Sequence, residues 1–116
     1  MVAFVALAAI MLSTAAGTVS AAGPFKFTTG NDEWDAGSFT ATNGADVTVF
    51  INNWGTSDTL KVRLSSFSAC TNTKPVTYEK NYTTFTNLAD GTYYGWVEKV
   101  SNPSRDVTGY ITYRVE

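Results

Sequence analysis

The chain has no histidine and only one cysteine, Cys70, among its 116 residues. Without histidine the commonest general base is missing, and with it the base partner of a serine or cysteine nucleophile. A glycosidase-like carboxylate pair, such as Glu33 with Asp35, is the remaining enzymatic option. A small β domain offers no evident cleft for such a pair, so the expectation is a non-enzyme that needs no cofactor. A lone cysteine excludes an internal disulfide framework, and zinc lacks soft ligands. Charge is also absent from the first 25 residues: all 8 basic and 10 acidic side chains fall from Lys26 onward, for a net charge of −2. That balance creates no field to gather a polyanion, and no nucleic-acid partner is expected.

What the beginning of the chain does contain is apolar. Residues 2–12 form an unbroken hydrophobic run, and residues 13–22 are small and weakly polar. A run of this length before small-x-small is the layout of an export signal. It would be cut before Ala22, after Val19-Ser20-Ala21, or before Gly23, after Ser20-Ala21-Ala22. The basic opening of such signals is missing, which keeps a retained apolar helix as the rival for residues 1–22. A membrane contact follows only if that segment is kept. No lipoprotein cysteine and no C-terminal hydrophobic anchor accompany it. The expected location is secreted or extracellular, with residues 23–116 as one domain.

Aromatic residues are plentiful at 14%, with 7 Phe, 6 Tyr and 3 Trp. A domain of about 90 residues buries only about 60–68% of its unfolded surface, and large rings help it build enough core. From Phe25 onward the pattern has period two, broken by Gly, Asn, Asp and Pro, which reads as short strands. Strands are expected at residues 25–28, 37–42, 46–52, 60–65, 75–80, 82–88, 93–100 and 107–115. Asn43-Gly44 marks a tight turn. The clearest alternation sets Leu60, Val62 and Leu64 against Lys61, Arg63 and Ser65. Seven or eight strands at this spacing, with no helix after residue 22, predict an all-β antiparallel sandwich.

The stretch Phe85-Thr86-Asn87-Leu88-Ala89-Asp90-Gly91-Thr92-Tyr93 resembles the corner before the penultimate strand of immunoglobulin-like and fibronectin type III-like domains. The resemblance implies that Leu88 closes the core, Gly91 turns the chain and the Tyr93 hydroxyl pins the corner, with Tyr94 as the competing tyrosine. Antibody-type domains add a disulfide beside a tryptophan, which this chain lacks. A fold of this kind is silent about function.

Several local features carry a sharp and a plain reading. Asp32, Glu33 and Asp35 are oxygen ligands without the spacing of a calcium loop, so a solvated acidic loop is expected and no metal site. Cys70 is expected to be a small buried thiol, with cross-linking of two chains as the alternative. Asn81-Tyr82-Thr83 matches a glycosylation acceptor. Trp34 and Trp54 are either sugar-stacking platforms or plugs at the ends of the sandwich. Strand parity supplies the candidate binding residues. In the last strand Val107, Gly109, Ile111, Tyr113 and Val115 face inward, which leaves Tyr110 outside. In the preceding one Tyr93, Gly95 and Val97 face inward, which leaves Tyr94 and Trp96 outside. If these two strands form a hairpin, Trp96 comes opposite Tyr110 with Tyr94 nearby, a patch of rings on a wet face. The expected function is a non-catalytic extracellular binding or adhesion module, its partner a protein or a carbohydrate. The alternative is a self-associating structural subunit of a filament or surface layer that keeps its apolar segment.

Overall fold

Period-two patterning becomes eight strands in a computed structural model that describes residues 19–29, 36–54, 59–100 and 106–116. The strands are β1 (Ser20–Thr28), β2 (Ser38–Ala41), β3 (Ala45–Asn52), β4 (Leu60–Ser66), β5 (Lys74–Val76), β6 (Tyr82–Leu88), β7 (Gly91–Lys99) and β8 (Thr108–Val115). They form two four-stranded antiparallel sheets that pack as a sandwich. The predicted parity holds throughout the core. Val47, Val49 and Ile51 from β3 meet Leu60, Val62 and Leu64 from β4, and all six are fully buried. Tyr93 and Val97 of β7 and Ile111 and Tyr113 of β8 complete the interior.

Pairing follows a nested plan. β1 pairs with β8, β2 with β7, β3 with β6, and β4 with β5. This is one long hairpin, folded over so that β3 also meets β8 and β4 also meets β7. The sheets read β1-β8-β3-β6 and β2-β7-β4-β5, the order of a double Greek key or jelly roll. In an immunoglobulin-type sandwich the first strand lies beside the second; here it lies beside the last. The expected β7–β8 hairpin is therefore corrected. These strands belong to opposite sheets, β7 pairing with β2 and β4 and β8 with β1 and β3.

The Asn43-Gly44 turn shows the same mixture of local success and a different partner. Both residues take positive φ, 57° and 70°, as a primed turn requires. The strands it joins then part into separate sheets. The expected corner is present: the Tyr93 hydroxyl donates to the Ala89 carbonyl at 2.8 Å. Tyr93→Phe is expected to lower stability by about 0.5–1.5 kcal/mol, read from the urea midpoint. A larger loss from Tyr94→Phe would reassign the corner.

Three of the four sheet margins carry features that hinder pairing with another chain. Gly23 and Pro24 bulge out of β1 between Ala22 and Phe25. On the far side Pro75 occupies β5, and Lys74 sends its Nζ to the Thr84 carbonyl of β6 at 2.6 Å. Proline, bulges and lysine are standard ways of blunting an exposed strand edge. At the start of the fold, β1 begins at Ser20, upstream of both expected cut positions. A cut before Gly23 removes Ser20, Ala21 and Ala22, the partners of Val115, Arg114 and Tyr113. Phe25 to Thr28 keeps its pairing in either case. The apolar run of residues 2–12 lies outside the described residues.

Candidate functional site

The three candidate residues divide between two faces, with Tyr94 and Trp96 two residues apart on one strand and Tyr110 on the other sheet. Tyr110 lies on the outer face of the β1-β8-β3-β6 sheet, half exposed. Tyr94 and Trp96 lie on the outer face of the other sheet. Trp96 faces Arg63 across β4, whose guanidinium carbon sits 4.9 Å from the ring centroid. The row beyond it holds the Lys61–Glu98 ion pair at 3.2 Å. The partner of Trp96 is thus a cation on a neighbouring strand, not Tyr110.

Tyr94 borders a concavity. On one side stands the turn Ser66-Phe67-Ser68, and on the other Asp90, Thr92 and Tyr94. The hollow encloses about 680 Å³ and opens to solvent at one end of the sandwich. That size falls within the usual range of ligand sites. Phe67 stands at the tip of the turn, fully exposed.

Short hydrogen bonds fix this turn. Ser66 N–H donates to the Ala69 carbonyl at 2.7 Å, and the Ser66 hydroxyl oxygen accepts the Ala69 N–H at 3.1 Å. Below it, Thr71 N–H donates to the Leu64 carbonyl at 2.8 Å, while Leu64 N–H donates to the Thr71 hydroxyl at 3.0 Å. Serine and threonine suit these positions because their hydroxyls satisfy backbone groups that a tight turn leaves open. Asp90 is tied in as well, accepting the Asn43 N–H at 2.7 Å. It is the one carboxylate among the residues lining the hollow, so they hold no acid and base pair. The hollow is lined by the rings of Phe67 and Tyr94, by serine and threonine hydroxyls and by the single carboxylate of Asp90.

Sequence reasoning missed Phe67. Its only signal is a large ring inside a run of small polar residues, Ser65 to Ala69, where nothing in the alternation calls for one. Cys70 corrects another expectation, since its side chain is exposed. Ser65, its bridge partner, takes the buried place and donates its hydroxyl to the Cys70 sulfur at 2.7 Å. Trp54 is buried and meets Tyr78 edge-on at 5.7 Å, so it plugs one end of the sandwich. Asn81, in the glycosylation pattern, donates from Nδ2 to the Ile51 carbonyl and to Asn52 Oδ1, at 3.1 and 3.0 Å. A glycan on that nitrogen would displace at least one of these bonds. Trp34 and the cluster Asp32, Glu33 and Asp35 lie outside the described residues. Comparison with protein-family models, with curated proteins and with solved structures gave no match.

Proposed function

We propose that this domain is a non-catalytic binding or adhesion module of the extracellular space, and that it makes contact through the hollow beside Phe67. One observation carries the reading: a hydrogen-bonded turn holds a fully exposed phenylalanine beside an apolar hollow. An exposed ring in water is a standing source of binding free energy. A turn already fixed before contact loses little further freedom when it binds. The partner is a protein or a carbohydrate with an apolar face to place against Phe67 and Tyr94. Export is supported by the apolar run and the small residues that follow it. The immunoglobulin-like resemblance enters through the Tyr93 corner and not through strand order.

Phe67→Ala is expected to leave the unfolding midpoint nearly unchanged, within about 0.5 kcal/mol, as for other exposed positions. Binding of the labelled domain to arrayed extracellular proteins and uncharged glycans is expected to be lost. Equal binding by wild type and variant would overturn the reading.

The start of β1 favours a second reading, a structural subunit that retains residues 1–22. Strand β1 uses Ser20 and Ala21, which either cut would remove, and Ala22, which the cut before Gly23 would remove. The blunted margins make strand-to-strand addition a poor route to such an assembly, so the apolar segment would have to hold the subunits together. Intact mass of the native protein separates the two: loss of 21 or 22 residues supports export and release, and a full-length chain in fibres supports the subunit.

A further inference from the structure

Tyr110 does have aromatic neighbours, on its own sheet. On the outer face of β1-β8-β3-β6, Phe50 lies opposite Tyr82 with ring centroids 6.0 Å apart. Phe50 pairs with Thr112 and Asn52 with Tyr110, which makes Tyr110 the diagonal neighbour of Phe50. Lys80 Nζ sits 5.5 Å from the centre of the Tyr82 ring, and Lys26 is the register partner of Tyr110. A stripe of cation, three rings and cation thus crosses all four strands, a span of about 14 Å. Among the described residues neither lysine makes an ion pair; the carboxylates of Glu98 and Glu116 go to Lys61 and Arg114.

We propose that this stripe binds an acidic polysaccharide, a chain of sugar rings carrying carboxylate or sulfate groups. Aromatic faces stack on the C–H faces of sugars, and Thr112 and Asn52 set neutral polar groups beside them for hydroxyls. The two lysines supply the charge complementarity, one at each end. Their sparseness argues against nucleic acid, which carries a phosphate on every nucleotide and is held by grooves dense in cations. The net charge of −2 gives no long-range pull, so the attraction is confined to this face. The stripe lies on the opposite sheet from Tyr94 and is independent of the function proposed for Phe67.

Affinity electrophoresis of the purified domain through gels containing polygalacturonate, alginate or heparin tests the site. Retardation by at least one of them at low salt is expected, weakening as salt rises. Tyr82→Ala and Tyr110→Ala should each weaken it by about 2- to 10-fold. Lys26→Gln with Lys80→Gln should abolish the salt dependence, and Phe67→Ala should change nothing. All five side chains are exposed, and an unchanged unfolding midpoint shows that each variant is folded. No retardation by any of the three polymers overturns the proposal. Retardation that ignores the ring substitutions, or equals that in neutral dextran, does so too. Binding confined to oligothymidylate or to anionic phospholipid vesicles would assign the stripe to another partner and would also overturn it.

Discussion

Gly95→Ala is expected to destabilise the domain by about 1–3 kcal/mol through overpacking, although alanine ordinarily suits a strand better than glycine. Gly95 lies in the middle of β7 with its missing side chain toward the core. A Cβ placed there overlaps the Tyr113 hydroxyl and comes within 3.3 Å of the Ala36 Cβ. The tyrosine has no easy retreat. Its ring is packed 4.7 Å from Phe39 and 6.1 Å from Phe25, and its hydroxyl donates to the Ala36 carbonyl at 2.5 Å. For a domain of this size each kcal/mol lowers Tm by about 4–8 °C. Because the collision is with one oxygen, Tyr113→Phe should recover part of the loss when combined with Gly95→Ala. A double-mutant cycle reads that coupling directly. Strict additivity, or a Gly95→Ala variant as stable as wild type, would show that the close approach is not what requires glycine.

Tyr113→Ala should have the largest effect, about 3–5 kcal/mol, since it empties a fully buried ring site at the centre of both sheets. Tyr113→Phe keeps the ring and strands the Ala36 carbonyl, for a loss of about 1–3 kcal/mol. The hydroxyl also predicts a pH dependence. Burial pushes the Tyr113 pKa well above its ordinary value, and a hydrogen bond with the Gly95 backbone only partly offsets this. The unfolded chain therefore gives up this proton first, near pH 10, while the native state still holds it. The contribution is complete below about pH 10 and declines as pH rises above it, by up to about 1.4 kcal/mol per pH unit. Urea midpoints at pH 8, 10 and 11 should fall more steeply for wild type than for Tyr113→Phe. Identical slopes would show that Tyr113 does not contribute to alkaline unfolding.

Local net charge is a further case where position outweighs composition. A sum of −2 says nothing about the outer face of β1-β8-β3-β6, where Lys26 and Lys80 flank three rings. Phe50 and Tyr82 both belong to segments expected as strands. Their meeting was not legible, because it depends on which strand lies beside β3.

The amino-acid sequence by itself determined most of the strands, the inward faces of β4, β7 and β8, and the corner at Tyr93, although β1 starts at Ser20 instead of Phe25 and β5 is Lys74–Val76 instead of 75–80. Residues 82–88 were expected as a strand and form β6, and Leu64, Ile111 and Tyr113 all face inward as read. These are properties of neighbouring residues: alternation follows from strand geometry, and a turn follows from which residues accept positive φ. Tertiary structure alone decided the partners. It placed β7 and β8 in opposite sheets, gave Trp96 to Arg63, left Tyr110 beside Lys26, and aimed Phe67 outward beside Tyr94. A half-buried strand has the same alternation whichever neighbour it joins, so its pattern carries no address. The choice is made by burying both inner faces at once, and that requires residues far apart in the chain to meet.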